Sequence, residues 1–326
     1  HYNSCRNRCC PMCQAVPKEM WMDARREDVL DAPYFHLVFT VPDILNPVIY
    51  SNQRLLYDAL YHAASSTISE LTADPKHLGA KVGYICILHT WGSEMNFHPH
   101  IHTILLGGGL ASNNQWKDNG ENFFLPIRVI SKMFRGKYLE ELKRLWEEDK
   151  LVFHSTAEKF RNHYTFKELL DSCYGMDWIP HCKKTFNGAQ TVIKYLGKYT
   201  HRIAVSNHRI VCMDDDTVTF LVKDYRNEGQ WKELTISGVE FVRRFLMHVP
   251  PRRFVRIRHY GLLCSRTKSQ KLTLCRNLLG CKKYLSKLRD MEMPEILEHL
   301  YGIKVCVCKA CGGHLGKPQM KMPLRC

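Results

Sequence analysis

Three histidines occupy alternate positions in the stretch HPHIHTILLGGG (98–109). Successive side chains of a β-strand point to opposite faces of a sheet, so His98, His100 and His102 should share one face. A buried imidazole needs a hydrogen-bond partner or a metal ion, and a row of such rings is not typical of a hydrophobic core. The stretch therefore predicts a strand with a polar, functional face, ended by its three glycines.

An upstream strand supplies a further histidine on the same face. KVGYICILHT (81–90) has the composition of a strand, and WGSEMNF connects it to the histidine stretch. A hairpin that turns in the middle of this connection places His89 opposite His100, with His102 two residues further along. Imidazoles suit divalent metal ions, so this register predicts a metal site formed by His89, His100 and His102, with His98 as a spectator or substitute ligand. A slip of one residue would break the site.

The remaining chain mixes helical and strand periodicities without regular alternation. Strands are predicted at YFHLVFTVP (34–42), in a meander from RIVCMDDD to WKELTIS, and at FVRIRHYGLL (254–263). Helices are predicted at 47–73, 131–151, 160–170, in NGAQTVIKYLGKYTHR with Asn187 as its N-cap, at VEFVRRFLMHV and after FVRIRHYGLL, and a loop at 110–130. This order is typical of an α+β fold with an antiparallel sheet.

Positive charge is concentrated in one segment. The chain has 47 Lys and Arg against 32 Asp and Glu, a net charge of +15, and residues 243–289 contain fourteen Lys or Arg and no acidic residue. Such a segment favours a polyanionic partner, and its interleaved aromatic residues suit phosphate neutralisation with base stacking. A basic strand that covers a core is the alternative. The predicted DNA contacts are Arg252, Arg253, Arg256 and Arg258.

Seven of the fifteen cysteines form clusters near the two ends of the chain, in SCRNRCCPMCQ and VCVCKACGGH. Two thiolates at C-x2-C spacing can bind one tetrahedral ion, so both clusters predict zinc sites, and buried free cysteines are the alternative. The predicted ligands are Cys10 and Cys13, completed by Cys5, by Cys9 or by a pair upstream of His1, and at the other end Cys308 and Cys311. Because the chain begins without Met, we expect a sequence that is cut at its N-terminus.

These features divide the chain into four predicted regions. They are a zinc-binding segment (1–30), a region with the histidines (31–205), a basic β-rich region (206–300) and a cysteine-containing tail (301–326). No apolar run approaches the 18 or so residues of a membrane span, and neither a signal peptide nor a lipidation motif is present. The sequence therefore predicts a cytoplasmic protein with no membrane partner.

A tyrosine pair forms a second candidate site, in TVIKYLGKYTHR (191–202). Tyr195 and Tyr199 are four residues apart, so both hydroxyls would lie on one face of a helix. A phenol is a poor nucleophile at neutral pH unless a metal ion polarises the phosphodiester that it attacks. The surrounding cationic residues, predicted to bind DNA, are Lys194, Lys198, His201 and Arg202. Packing on an amphipathic helix is the alternative.

HPHIH with His89, YLGKYTHR, SCRNRCCPMCQ and RIRHYGLL together resemble the HUH-type two-tyrosine rolling-circle transposases of bacterial insertion sequences. The resemblance covers nearly the whole chain and implies an HUH endonuclease core. His100-Ile101-His102 matches the histidine–hydrophobe–histidine motif, and Tyr195 and Tyr199 match the paired tyrosines. The N-terminal zinc segment is matched by Cys5, Cys10 and Cys13. This chain has Cys9 where relatives tend to have histidine, and it lacks their upstream cysteine pair.

The resemblance implies that one tyrosine attacks single-stranded DNA at the transposon ends and target. The products are a 5′-phosphotyrosine and a free 3′-hydroxyl, and the second tyrosine allows a second strand transfer. Mg²⁺ or Mn²⁺ would be held by His89, His100 and His102, zinc would be structural, and the protein would act at the bacterial nucleoid.

Two other interpretations compete with this one. A histidine-triad nucleotide hydrolase also carries an H-x-H-x-H run, but Pro99 stands where a hydrophobic residue is expected. A non-catalytic zinc- and DNA-binding transposon remnant is the second alternative. Cleavage of single-stranded DNA, with and without a chelator, distinguishes all three.

Overall fold

The computed structural model describes residues 10, 13–120, 123, 125–178, 180–186, 191–192, 197, 204–224 and 228–316. The strands named in this part of the chain are β1 (Tyr34–Thr40), β2 (Lys81–Trp91), β3 (Phe97–Leu110), β4 (Trp116–Asp118), β5 (His181–Phe186), β6 (Ile210–Met213), β7 (Thr217–Asp224), β8 (Gln230–Ser237) and β9 (Ile257–Gly261). The helices are α1 (Ala15–Arg26), α2 (Asn46–Ser51), α3 (Gln53–Ala73), α4 (Ile127–Glu147), α5 (His163–Gly175), α6 (Gly238–Met247), α7 (Lys268–Leu279) and α8 (Met293–Tyr301).

A six-stranded sheet forms the centre of the fold, and its neighbouring strands are all antiparallel. Its order is β5-β1-β3-β2-β9, and β4 pairs with the far end of β3. The predicted α+β fold with an antiparallel sheet is confirmed. Among the described residues, none of the helices combines the length and apolar composition that a membrane crossing requires.

The two faces of this sheet carry different cores. One face packs against helices α3, α4 and α5 through a large apolar cluster that includes Phe35, Leu56 and Phe134. The other face carries a smaller cluster with Ile85 and Ile104, packed against residues of α1 and α7. Because His102 lies two residues before Ile104 in β3, the histidines belong to this second face.

The three glycines continue strand β3 instead of ending it, so the predicted strand end is wrong. A β-carbon on Gly108 would collide with the Trp116 ring of β4, and one on Gly109 would collide with the backbone of Lys81. Glycine is required here because neighbouring strands approach closely. Strand β4 and the start of α4 also lie inside the predicted loop 110–130, which is therefore wrong over those residues.

The predicted helix 47–73 is divided at Asn52 into α2 and α3. The Asn52 side chain donates to the carbonyl of Val152 at 2.7 Å and accepts from its N–H at 2.8 Å. This paired contact to a distant segment stabilises a backbone conformation between the two helices that is not helical. A periodicity argument cannot detect such a contact.

The meander predicted after residue 209 is confirmed as a three-stranded sheet, β6-β7-β8. Its core contains Phe220 and Val222, and it also receives Met95 from the tip of the β2–β3 hairpin, fully buried at 0% exposure. Strand β9 of the basic region pairs with β2 of the central sheet. The regions predicted as 31–205 and 206–300 therefore share one sheet, and the predicted boundaries stay a prediction.

Three cationic or polar side chains hold the hairpin tip at successive carbonyls, those of residues 93–95. The carbonyl of residue 93 accepts from Arg209, that of residue 94 from Arg244 at 2.9 Å, and that of residue 95 from His248 at 3.0 Å. The tip of the β2–β3 hairpin is thus fixed by hydrogen bonds as well as by the burial of Met95.

Candidate metal centre and nucleic-acid interface

The predicted register of the β2–β3 hairpin is confirmed. His89 pairs with His100, and the next pair towards the interior is Leu88 with Ile101. Because directly paired residues share a face, His89 and His100 project to the same side, and His102 follows two residues later. The structure brings the three predicted ligands together.

The ring nitrogens of the three imidazoles converge. One ring nitrogen from each of His89, His100 and His102 lies within 4.8 Å of the other two. The Nε2 atoms of His100 and His102 are 3.0 Å apart. These side chains are 2%, 9% and 9% exposed, and the ring of Trp91 stacks on His89 at 4.6 Å.

The outer nitrogens of two of these rings are held by hydrogen bonds. Nδ1 of His100 lies 2.6 Å from the carbonyl oxygen of His98. A carbonyl can only accept, so Nδ1 carries the proton and Nε2 keeps its lone pair. Nδ1 of His102 lies 2.8 Å from Nε2 of His36, a buried residue of β1.

Sequence reasoning missed His36. It stands in YFHLVFTVP, where a single polar residue within an apolar strand was a detectable signal. The pairing of β1 with β3 sets Val38 opposite His102, so His36 is its diagonal neighbour on the same face. That pairing joins segments 66 residues apart, and the pattern within one strand does not predict it.

Burial keeps the rings of His100 and His102 neutral. It lowers the pKa of His100 to about 4, and it holds the pKa of His102 well below the ordinary value, with neighbouring His89 and His100 adding to the effect. A neutral imidazole with an available lone pair is the form that binds a metal ion. Two cis ligands of an octahedral ion with bonds of about 2.1 Å are separated by about 3.0 Å, which matches the His100–His102 distance. The residues present therefore fit a divalent metal ion.

His98 stands apart from this triad. Its Nδ1 lies 3.2 Å from the carboxylate of Asp43, and its carbonyl orients His100. Its side chain is not one of the three that converge, and its role as a spectator or substitute ligand stays a prediction. The main chain of His98 nevertheless contributes to the site.

The predicted tyrosines, Tyr195 and Tyr199, lie outside the described residues, as do Lys194, Lys198, His201, Arg202 and the predicted N-cap Asn187. Two residues of the same segment are described. Val192 is buried in the cluster on the histidine face of the sheet, together with Ile104. A β-carbon on Gly197 would collide with Met22 of α1, which packs on the same cluster.

The basic region has acidic partners elsewhere in the chain. Lys268 pairs with Asp28 at 2.9 Å, and Arg289 pairs with Glu27 at 2.6 Å. Asp23, at the end of α1, accepts hydrogen bonds from three groups of the segment 284–288. Burial opposes ionisation of Asp23, but these hydrogen bonds hold its pKa below the ordinary value. Part of the positive charge is thus used within the fold.

Arg258 shows this most clearly. It pairs with Asp58 and lies 4.0 Å from the ring centre of Tyr61, both in α3. In the pairing of β9 with β2, Arg258 stands opposite Cys86, which belongs to the large apolar cluster. Arg258 therefore lies on the face of the sheet opposite the histidines. Arg252 and Arg253 are exposed, and the backbone carbonyls of Arg252 and Arg256 accept hydrogen bonds from α3 side chains.

The predicted zinc ligands remain separate pairs in the described part of the chain. Cys10, Cys13 and Cys308 are half-buried there, Cys311 is exposed, and Cys5 lies outside it. Among the described residues, the histidine triad is the one set of three or more metal-ligand side chains that converges. Backbone N–H groups of Cys311 and Ala310 lower the pKa of the Cys308 thiol, which favours the thiolate.

Comparison with known proteins identifies the class. Residues 83–271 match the family model described as "Putative transposase", and residues 1–41 match the "Transposase zinc-binding domain". These matches define the class as transposases that carry a zinc-binding domain. Because the first match spans more than half of the chain, the chain belongs to the "Putative transposase" family. The nucleotide-hydrolase alternative is wrong.

Two relatives give the same result. The chain is 40% identical over 313 residues to "Putative transposase y4qJ" of Sinorhizobium fredii, covering 95% of this chain and 79% of the relative. It is 32% identical over 273 residues to "Transposase for insertion sequence element IS801" of Pseudomonas savastanoi pv. phaseolicola, covering 83% of this chain and 64% of the relative. The chain thus spans less than two thirds of the second relative.

Solved structures give a weaker likeness. A metal-bound complex of the conjugative relaxase TrwC with oriT DNA has a TM-score of 0.28 and 14% identity, covering 51% of this chain and 70% of that chain. TrwC with a DNA that comprises its recognition hairpin and cleavage site has a TM-score of 0.25 and 16% identity, covering 34% and 44%. At this level the likeness bears on neither the fold nor the chemistry of the chain.

Proposed function

We propose that this transposase cuts and rejoins single-stranded DNA through a 5′-phosphotyrosine, in rolling-circle transposition of an insertion sequence. Its substrates would be the transposon ends and the target, reached at the nucleoid in the bacterial cytoplasm. One observation carries the proposal, namely the three converging, buried imidazoles of His89, His100 and His102. A transposase needs DNA chemistry, and this triad can position a metal ion against a phosphodiester.

The triad would hold Mg²⁺ or Mn²⁺ and leave other coordination positions open. When bound, the ion polarises the scissile phosphate and stabilises charge on its non-bridging oxygen. The protein's part is to keep two Nε2 lone pairs aimed at one point. His100 does so because its Nδ1 proton is donated to the carbonyl of His98.

Tyr195 and Tyr199 would supply the nucleophiles. In each transfer the phenolic oxygen bonds to phosphorus, the bond from phosphorus to the 3′ oxygen breaks, and that oxygen takes up a proton as the phenol loses one. The two tyrosines flank Gly197 by two residues on either side. The position of Val192 in the cluster on the histidine face supports a role for this segment beside the triad.

Positive side chains would hold the DNA backbone. The candidates near the tyrosines are Lys194, Lys198, His201 and Arg202, and those in the basic region are Arg252, Arg253 and Arg256. Such contacts neutralise phosphates without reading sequence. Arg258 is already paired with Asp58 inside the fold, so we assign it a smaller part.

Zinc would have a structural role at the ends of the chain. The match of residues 1–41 to a zinc-binding domain supports an ion held by Cys10 and Cys13 with Cys5. Cys308 and Cys311 would bind a second ion. The lowered pKa of the Cys308 thiol supports this assignment, because a thiolate is the form that binds zinc.

The test is cleavage of a labelled single-stranded oligonucleotide that carries one end of the element. We expect a metal-dependent nick, abolished by EDTA, with one DNA fragment attached covalently to the protein. A variant with both Tyr195→Phe and Tyr199→Phe should form no adduct, whereas each single variant should keep some cleavage but fail complete transposition. Tyr164→Phe, at an exposed tyrosine of α5, is the matched control.

Two results would contradict the proposal. DNA binding without cleavage in Mg²⁺ and Mn²⁺ would support the non-catalytic remnant. An adduct formed by the double Phe variant would remove the tyrosines from the mechanism, whatever the histidines do.

A further inference from the structure

His36 of strand β1 touches one member of the histidine triad from behind. Its Nε2 lies 2.8 Å from Nδ1 of His102, and the two rings are parallel within 10° with centres 5.1 Å apart. His36 is only 8% exposed. It is not one of the three converging residues, so its role is exerted through His102.

The proton on this hydrogen bond decides whether His102 can bind a metal ion. A neutral imidazole carries one proton, on either Nδ1 or Nε2. Nε2 of His102 faces Nε2 of His100 at 3.0 Å, so Nε2 is the atom that points into the site. For that atom to offer a lone pair, the proton must be on Nδ1 and must be donated to His36.

We infer that His36 is a positioning residue that fixes the metal-binding tautomer and ring orientation of His102. This inference rests on the proposed metal-dependent function. His36 accepts at Nε2 and therefore carries its own proton on Nδ1. The carbonyl of His98 fixes His100 in the same way, so two of the three ligands have a dedicated hydrogen-bond acceptor.

The arrangement also explains why a histidine stands among apolar residues of β1. The sheet pairs Val38 with His102 and His36 with Ile104, so His36 reaches His102 diagonally across the face. A hydrophobic residue at position 36 would leave Nδ1 of His102 buried without this acceptor, and burying an unpaired polar group is costly.

Two substitutions separate the hydrogen bond from the packing of the ring. His36→Phe keeps an aromatic ring beside His102 but cannot accept a hydrogen bond. His36→Gln places an amide oxygen close to the position of Nε2 and keeps the acceptor. The readout is the affinity of the full chain for Mn²⁺ without DNA, measured from the free Mn²⁺ signal in electron paramagnetic resonance.

We expect His36→Phe to weaken Mn²⁺ binding by about 10- to 100-fold, the usual cost of losing such a partner. His36→Gln should bind Mn²⁺ much more like the wild type. Side-chain ¹⁵N spectra of the Mg²⁺-loaded protein should show the His102 proton on Nδ1 in the wild type. Both variants should stay folded in the absence of metal, and His36→Phe should unfold at a lower denaturant concentration than His36→Gln because it removes the acceptor of His102.

Each outcome decides the inference. Wild-type affinity in His36→Phe would overturn it, and so would equal losses in the Phe and Gln variants, which would assign the effect to the imidazole ring itself. His100→Ala identifies binding at the triad. If wild type and His100→Ala bind Mn²⁺ equally, the triad holds no ion and the proposed function fails together with this inference.

Discussion

The histidine triad and the terminal cysteines use similar ligand chemistry, but the fold treats them differently. The histidines lie on two paired strands of a six-stranded sheet, and this pairing brings their ring nitrogens together. The terminal cysteines stand in short segments beside α1 and after α8, and among the described residues they belong to no converging set of three ligands. A site built on a sheet is organised before its ion binds, whereas a site in a short segment depends on its ion for order.

The C-terminal pair illustrates the second kind of site. Cys308 and Cys311 lie in a tight turn closed by two hydrogen bonds of 2.9 Å, between Cys308 N–H and Gly313 C=O and between Gly312 N–H and Cys308 C=O. Gly312 adopts a φ of 70°, which favours glycine. Residues 309–316 are exposed, so the turn buries little surface that could hold it without an ion.

The first and largest effect should come from His100→Ala. Loss of a ligand forfeits several kcal/mol of transition-state stabilisation, so we expect DNA cleavage to fall by about a thousandfold or more. Binding of single-stranded DNA, measured by fluorescence anisotropy, should be largely unchanged because the sheet does not need the ion. His154→Ala, at an exposed histidine, is the control. Cleavage at the wild-type rate would make the triad purely structural.

The second effect concerns Cys10→Ser combined with Cys13→Ser. We expect loss of tightly bound zinc and faster hydrogen exchange confined to the N-terminal segment, with the central sheet still protected. Metal analysis after dialysis against magnesium and exchange mass spectrometry check both points. Cys212→Ser, at an exposed cysteine of β6, should retain zinc. If the wild-type protein contains no zinc and its N-terminal segment is as protected from exchange as the central sheet, the contrast between the two kinds of site is wrong.

The third effect measures the anchoring of the hairpin tip. Met95 is fully buried in the core of the small sheet, so Met95→Ala should lower the free energy of unfolding by about 2–4 kcal/mol through lost burial and a cavity. Met213→Ala, at an exposed methionine, should cost almost nothing. Denaturant titration of both variants checks this. Equal stabilities would mean that the triad is organised without this anchor.

The smallest effect depends on pH. Burial lowers the pKa of His248 to about 4, although its hydrogen bond to the carbonyl of Met95 opposes the shift. The unfolded chain takes up a proton near pH 6.5 and the folded chain does not, so stability falls as pH drops from 6.5 towards 4. Between pH 7 and pH 5 this loss is about 2 kcal/mol.

His248→Gln removes that contribution while keeping an amide donor for Met95. The free energy of unfolding of the variant should therefore depend less steeply on pH than that of the wild type, while other histidines titrate equally in both. Identical slopes in the two proteins would show that His248 is not held neutral by burial.

The sequence predicted the triad because all of its determinants are local to one hairpin. Alternation in β2 and β3 and the length of the connection set the register, and the confirmed pair His89–His100 follows from them. His36 depends on the pairing of β1 with β3, which a strand pattern does not specify. The ion pairs of the basic region could not be predicted for the same reason, since they join distant parts of the chain. Asp28 and Glu27 lie 240 and 262 residues upstream of their partners Lys268 and Arg289.

The three glycines of β3 show a different limit of prediction from sequence. Three in a row predicted the end of a strand, because glycine weakens strands and favours turns. In the fold they instead allow Trp116 and the backbone of Lys81 to pack against β3. Whether glycine marks a turn or a close approach depends on a neighbour that the local sequence does not reveal.

The buried tip of the hairpin constrains insertions and deletions as strictly as it constrains side chains. Met95 is fixed in the core of the small sheet, while His89 and His100 are fixed opposite each other in the central sheet. Adding or removing one residue between His89 and Met95 would shift the strand register by one residue. One imidazole would then point to the face that packs against α3, α4 and α5. Related chains with this site should therefore vary in loop length almost anywhere except between these two histidines.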